Sequence, residues 1–119
     1  NKLLPLWKAT HEYLKKRPQT VAMTHISHAY ENGANLYFTF ISPADAQHTL
    51  EDYQNYHKGL IDTIVEHGGS LSHHHGIGRT LTPWLHTHYP PAALQLMRGI
   101  KRQLDPNGVM NPGSVVPEE

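Results

Sequence analysis

The feature that most constrains the fold is a change in hydrophobic period after residue 41. In residues 35–41, Leu36, Phe38 and Phe40 fall on one side of a strand and Tyr37 on the other. The mostly apolar residues that follow recur every three or four positions, as on one face of a helix. They are Ala46, Leu50, Tyr53, His57, Leu60, Ile61, Ile64 and Val65. The sequence therefore predicts a strand followed by a long helix.

Residues typical of helix termini set the expected ends of this helix. Ser42 and Pro43 are typical of a helix start, with serine as the N-cap and proline at the first helical position. Gly68 and Gly69 supply the expected stop, because glycine readily adopts the left-handed conformation that ends many helices.

The remaining segments predict an α+β fold. We expect a helix over residues 6–16, a strand over 20–28, a third strand over 70–75 and a last helix from Pro91 to the turn at Asp105. The turn signal at 31–33 pairs the first two strands as an antiparallel hairpin. Helices should cover one face of the sheet, which leaves the face bearing Tyr37 to line a ligand cavity.

Composition excludes several classes of function. Ten Lys+Arg balance ten Asp+Glu, so we expect no attraction to nucleic acid. No apolar run is long enough to span a membrane, and the absence of cysteine excludes disulfides and favours a cytoplasmic location. The chain opens without an initiator Met, which we interpret as a break within a longer polypeptide.

Eleven histidines are the unusual component, and three of them stand together in a glycine-flanked segment. In an extended segment His73 and His75 would share a face, with His74 opposed. Gly76 allows a backbone to approach a ligand closely, and Arg79 offers a cation for a phosphate or carboxylate.

A metal site is a competing interpretation of the histidines. His25 and His28, with members of the triplet, would supply imidazoles to zinc or iron. However, they are an odd number of residues apart and so face opposite ways in a regular strand, and no HExxH motif is present. We predict no bound metal, while a histidine-rich metal-binding or interaction module remains an alternative.

Two motifs resemble a known family. The segment GGSLSHHHGIGR, preceded by GANLYFTF, resembles the alkylglycerone-phosphate synthase branch of the FAD-linked oxidase superfamily. The ending LMRGIKRQLDPNGVMNPG is similar to that superfamily in general. The resemblance implies that residues 1–80 are the end of a ferredoxin-like substrate or cap domain. It implies that 81–119 pack back on an FAD-binding domain absent from these residues, so that the fragment alone is inactive.

The resemblance also implies a reaction. The flavin would hold the carbon of dihydroxyacetone phosphate while a fatty acid leaves and a fatty alcohol replaces it, without net redox. Tyr37 would take part in proton transfer, and the histidine triplet would line the active site. Arg79 would bind the substrate. His75, Gly76 and Asn111 would contact FAD. The expected substrate is a phosphorylated or acidic small molecule, and the expected parent is a homodimer with peripheral membrane or lipid contact.

The hydroxy-acid dehydrogenase branch of the superfamily is the alternative. There a glutamate occupies the position of His74 and a histidine that of Tyr37, and in some members both contribute to a metal site. Their replacement argues against that metal. Oxidation of a 2-hydroxy acid such as glycolate or D-lactate, with His75 as the base, remains open.

Overall fold

The computed structural model describes residues 2–114 and 116. They fall into two compact units, Asn1–Gly69 and Ser70–Glu119. The division between residues 80 and 81 concerns domains of the parent enzyme and stays a prediction. In the described part of the chain, no helix has the length and apolar character needed to cross a membrane.

The first unit is a β-hairpin with two helices. Its elements are α1 (Leu3–Lys15), β1 (Val21–Tyr30), β2 (Gly33–Ile41) and α2 (Thr49–Glu66). The strands pair antiparallel, with Val21 opposite Ile41 and His25 opposite Tyr37. The α+β class and the hairpin are thus confirmed.

Both helices of this unit contact the same face of the hairpin. From α1, the Trp7 indole Nε1–H donates to Thr24 Oγ1 over 3.0 Å. From α2, the Tyr56 ring meets Phe40 edge-on, with ring centroids 6.0 Å apart. Phe40 is partly buried, whereas Tyr37 is 45% exposed on the other face. The predicted sorting of the two faces of β2 is therefore confirmed.

Reciprocal tyrosine bonds join α1 to α2. Tyr13 Oη donates to the carbonyl of Tyr56, and Tyr56 Oη donates to the carbonyl of Leu14, each over 2.9 Å. Leu14 itself is fully buried. Burial of Tyr13, reinforced by Tyr56 beside it, raises the pKa of the Tyr13 phenol. These bonds fix the two helices that support the hairpin.

The start of α2 differs from the prediction, but its end does not. The helix begins at Thr49, not at Ser42 and Pro43, because the Asp45 side chain accepts the backbone N–H groups of Gln47 and His48 in a turn of its own. At the other end, Gly68 has φ +75°, and its N–H and that of Gly69 return to the carbonyls of Val65 and Ile64. This is the expected glycine stop in its Schellman form.

The second unit contains α3 (Gly78–Leu81), a 3₁₀ helix (Thr82–Thr87) and α4 (Pro91–Leu104). The last helix starts at the predicted Pro91 and is followed by the predicted turn at Asp105. Leu71, Leu85 and Leu94 are its buried apolar residues.

The predicted third strand over residues 70–75 is wrong, since this segment forms bends. Two hydrogen bonds of its backbone lie outside any strand ladder. The Leu71 N–H donates to His88 Nε2 over 3.4 Å, and Ser70 Oγ donates to the carbonyl of Ser72 over 3.1 Å. Side chains that bond the nearby backbone compete with strand pairing. Among the described residues the sheet has only the two strands of the hairpin.

Candidate functional site

Tyr37 lies in the middle of β2 on the hairpin face that α1 and α2 leave open. Its direct partner across the ladder is His25, which is also exposed. Directly opposed residues of an antiparallel pair project to the same side of the sheet. The phenol and the imidazole therefore stand next to each other on the outer face.

A β-bulge adds His28 to the polar side chains beside Tyr37. Ile26 pairs with Leu36 but His28 pairs with Asn35, so Ser27 is the extra residue. Because Asn35 and Tyr37 share a face, the bulge turns His28 onto the same side as His25. Our expectation that these two histidines face opposite ways is wrong, because it assumed a regular strand.

The bulge is held by side-chain hydrogen bonds. The Asn35 amide Nδ2 donates to Ser27 Oγ over 2.6 Å, and Ser27 Oγ lies 3.0 Å from His28 Nδ1. The His28 ring also stacks on Tyr30, with centroids 6.3 Å apart. No glycine or proline marks this bulge in the sequence, so nothing there signalled it.

The other end of the outer face is apolar. Val21 opposes Ile41, and Met23 opposes Thr39, on the side of the hairpin that carries Tyr37. Val21, Met23 and Ile41 are all more than half exposed. The outer face is thus apolar at the end near Val21 and Ile41 and carries hydrogen-bonding side chains from Tyr37 toward the turn.

The histidine triplet lies in the second unit, in the exposed segment before α3. His73 Nδ1 and His74 Nδ1 are 2.7 Å apart, and the rings of His74 and His75 lie 4.2 Å apart at a steep angle. The predicted alternation of faces is wrong because the segment is not a strand. A bond between two Nδ1 atoms needs one donor and one acceptor, which the tautomers of an imidazole can supply. Such a cluster can both give and take protons.

The glycines beside the triplet behave as expected. Gly76 and Gly78 have φ of +81° and +56°, conformations that side chains disfavour. Among the described residues, no atom beyond the adjoining chain lies within 4 Å of where a Cβ would stand at either glycine. Arg79, in the short α3, is exposed. Backbone and a cation are therefore both accessible here.

Asn111 lines a cavity of about 270 Å³ after the end of α4. Arg98, Lys101 and Arg102 also line it. Asn111 has φ +46°, an uncommon conformation that asparagine tolerates better than most residues. The Lys101 ammonium pairs with Asp105 and, with the N–H groups of Met110 and Val109, holds the pKa of that carboxyl below its usual range.

Comparison with known proteins decides the family. Residues 1–115 match the model of the FAD linked oxidases, C-terminal domain. The chain belongs to this family. It is 38% identical over 93 residues to the alkyldihydroxyacetonephosphate synthase of Dictyostelium discoideum, which covers 78% of the chain and 15% of that protein.

Other relatives carry different names. The uncharacterized FAD-linked oxidoreductase YgcU of Escherichia coli (strain K12) is 39% identical over 80% of the chain and 20% of its own length. The D-2-hydroxyglutarate dehydrogenase of Stutzerimonas stutzeri is 31% identical over 68% of the chain and 18% of its own length. The chain thus spans about a fifth or less of these relatives. No solved structure matches it significantly.

Membership of the FAD-linked oxidases implies use of FAD, and the named relatives are transferases or oxidoreductases. The cavity beside Asn111 is lined by the guanidinium groups of Arg98 and Arg102, which suit a phosphate, and also by Asp105, whose carboxylate is paired with Lys101. Gly76, with space around its Cα, would likewise admit a flat ring close to the backbone. Contact of Asn111, His75 and Gly76 with FAD stays a prediction.

The FAD-linked oxidase domain holds its predicted site residues in separate units. Tyr37 belongs to the first, whereas His73, His74, His75, Arg79 and Asn111 belong to the second. Their catalytic and binding roles stay predictions. Sequence reasoning missed the His25–Tyr37 pair, because a regular register from the turn places Ile26 opposite Tyr37 and only the bulge brings His25 there. In residues 2–114 and 116, no three side chains of metal-ligating type are placed to hold an ion.

Proposed function

We propose that these residues are the C-terminal part of an FAD enzyme that exchanges the acyl group of an acyl-dihydroxyacetone phosphate for an alkyl group. The observation that carries the proposal is the exposed Tyr37 phenol among hydrogen-bonding side chains on the open face of the hairpin. The similarity to alkyldihydroxyacetonephosphate synthases supports it.

Each proposed residue has a chemical task. Tyr37 moves a proton of the substrate carbon, and the contiguous imidazoles of the triplet relay protons to the leaving acid and from the entering alcohol. Arg79 pairs with the phosphate. FAD, when bound, supplies the group that holds the substrate between the two half-reactions. The exposed apolar end of the outer face suits a fatty chain.

The partners of the enzyme follow from this chemistry. A phosphorylated substrate that carries a fatty chain is amphipathic, so we propose peripheral contact of the parent with a lipid surface. We also propose that the parent is a homodimer, with no nucleic-acid partner.

A second function is favoured by one observation, the similarity to D-2-hydroxyglutarate dehydrogenase over 68% of the chain. In this proposal His75 takes the hydroxyl proton of a 2-hydroxy acid, and FAD, when bound, would supply the hydride acceptor. The two proposals predict opposite redox behaviour.

An absorbance spectrum of the full-length protein separates them. With acyl-dihydroxyacetone phosphate we expect the flavin spectrum to change, with release of fatty acid and without consumption of dioxygen. A flavin that ignores this substrate and is bleached by a 2-hydroxy acid would establish the second function instead.

Tyr37→Phe in the full-length protein tests the residue that carries the proposal. We expect the exchange rate to fall by about 10²–10⁴-fold, the usual contribution of a proton-transferring group. Tyr53→Phe, which removes another exposed phenol of the first unit, is the control and should keep the rate. Near-normal turnover of Tyr37→Phe would contradict the proposed role.

A further inference from the structure

The phenol of Tyr37 needs a neighbour if it is to accept a proton. A tyrosine is protonated near neutral pH, so it acts as a base only when another group takes its hydroxyl proton. This requirement depends on the proposed function, in which Tyr37 accepts a proton from the substrate carbon. The first unit offers its own candidates for that group.

The pairing of β1 with β2 places His25 opposite Tyr37, where it can take the phenolic proton. His25 and Tyr37 are directly opposed, and the Cβ atoms of opposed residues lie about 4.5–5.5 Å apart on the same face. Rotation about the side-chain bonds can bring an imidazole and a phenol at such positions within reach of a hydrogen bond, either direct or through one water. Both residues are exposed, so neither is committed to the core.

The neighbouring positions on the same face do not compete with His25. On one side the next pair is Met23 and Thr39, which have no titratable group. On the other side His28 opposes Asn35, two residues or about 7 Å along the strand from Tyr37. The Nδ1 atom of His28 is also engaged with Ser27 Oγ. His25 is thus the imidazole placed to serve Tyr37.

We propose that His25 is a positioning residue that accepts the phenolic proton of Tyr37. The O–H proton of Tyr37 passes to a ring nitrogen of His25, which leaves a phenolate beside an imidazolium. The phenolate then accepts the proton of the substrate carbon, and the reverse transfers restore both side chains. His25 acts through Tyr37 and does not itself touch the substrate.

A double-mutant cycle in the full-length protein tests this role. His25→Gln and His25→Ala should lower kcat for acyl–alkyl exchange by about 10–100-fold, less than the 10²–10⁴-fold expected for Tyr37→Phe. KM should change less than about 2-fold, because His25 acts on the chemical step and not on binding. Adding His25→Gln to Tyr37→Phe should cost nothing more, since the proton that His25 accepts is then absent.

Two readouts exclude a merely structural effect. Free imidazole should restore part of the kcat of His25→Ala and none of that of Tyr37→Phe. His48→Gln makes the same chemical change at another exposed histidine of the first unit and should keep kcat. Flavin content and Tm should match the parent in all variants, because His25 is exposed.

The outcomes separate this inference from the proposed function. If Tyr37→Phe loses kcat while His25→Gln keeps it, or if the two losses multiply, the role of His25 is overturned and the proposed function stands. If Tyr37→Phe keeps kcat, both are overturned. A loss of kcat in His25→Ala that imidazole does not relieve, with raised KM, also contradicts the inference.

Discussion

The two units are stabilised in different ways. In the first, contacts join elements far apart in sequence. Arg17 bonds both carboxylate oxygens of Asp52, 35 residues away, and stacks on the Tyr56 ring. In the second, α4 leaves three apolar side chains mostly exposed, namely Leu96, Ile100 and Leu104. A helix with an exposed apolar stripe gains stability when that stripe is covered. In the first unit, contacts between helices therefore stabilise the hairpin from within the unit. In the second, the exposed apolar side chains of α4 form a surface suited to a further partner such as the proposed FAD-binding domain.

The largest test of this difference compares two leucines. Leu14 is fully buried, so Leu14→Ala should lower the free energy of unfolding by about 2–5 kcal/mol. Leu96 is 67% exposed, so Leu96→Ala should change it by less than about 0.5 kcal/mol. Urea denaturation of each variant measures both values. Similar losses at the two positions would show that α4 is packed as tightly as α1.

Two helical glycines give a smaller test. A Cβ at Gly59 would overlap Tyr13 Oη and lie 2.8 Å from Tyr13 Cζ, so Ala there disturbs the bond that joins α1 to α2. We expect Gly59→Ala to cost about 1–3 kcal/mol from overpacking. At Gly99 no described atom beyond the helix's own backbone and the adjacent residues lies within 4 Å of a Cβ, and Gly99→Ala should stabilise by about 0.5–1 kcal/mol through helix propensity. Thermal and urea unfolding should show that the free energy of unfolding falls in Gly59→Ala and rises in Gly99→Ala. A change of the same sign in both variants would contradict the comparison.

The fold could be predicted where a periodic pattern agreed with a clear end signal. The alternation along residues 35–41, the glycine stop at Gly68 and the helix start at Pro91 are all confirmed. The errors arose where a side chain bonds backbone outside regular helix or strand pairing. Asp45 delays the start of α2, and the bonds of Ser70 and His88 accompany bends over residues 70–75 where a strand was expected. Propensity does not report such local competition.

The candidate site was predictable only in part. The outer position of Tyr37 followed from a period of two, and this is confirmed. The placement of His28 depends on one extra residue in β1, and a single-residue bulge reverses the face of every later side chain. The contact among His73, His74 and His75 arises from bends that no pattern specified.

The smallest test concerns two carboxylates, one in each unit. Hydrogen bonds from Arg17 lower the pKa of Asp52, and the ion pair with Lys101 together with backbone N–H groups lowers that of Asp105. A carboxyl with a lower pKa in the folded state stabilises the fold above its unfolded value of 3.8 and loses that contribution as the pH falls through the folded value. Asp52→Asn and Asp105→Asn should therefore both flatten the fall of Tm as the pH is lowered below about 5.

We expect the larger flattening for Asp105→Asn. The Asp105 side chain is 4% exposed and that of Asp52 is 22% exposed, so solvent and salt screen the first less. Asp105 also accepts the N–H groups of Val109 and Met110, which shape the turn leading to Asn111. Tm measured against pH at low and high salt checks this order. A greater effect at Asp52, or one that salt removes equally from both, would mean that the turn after α4 is as open to solvent as the surface of the first unit.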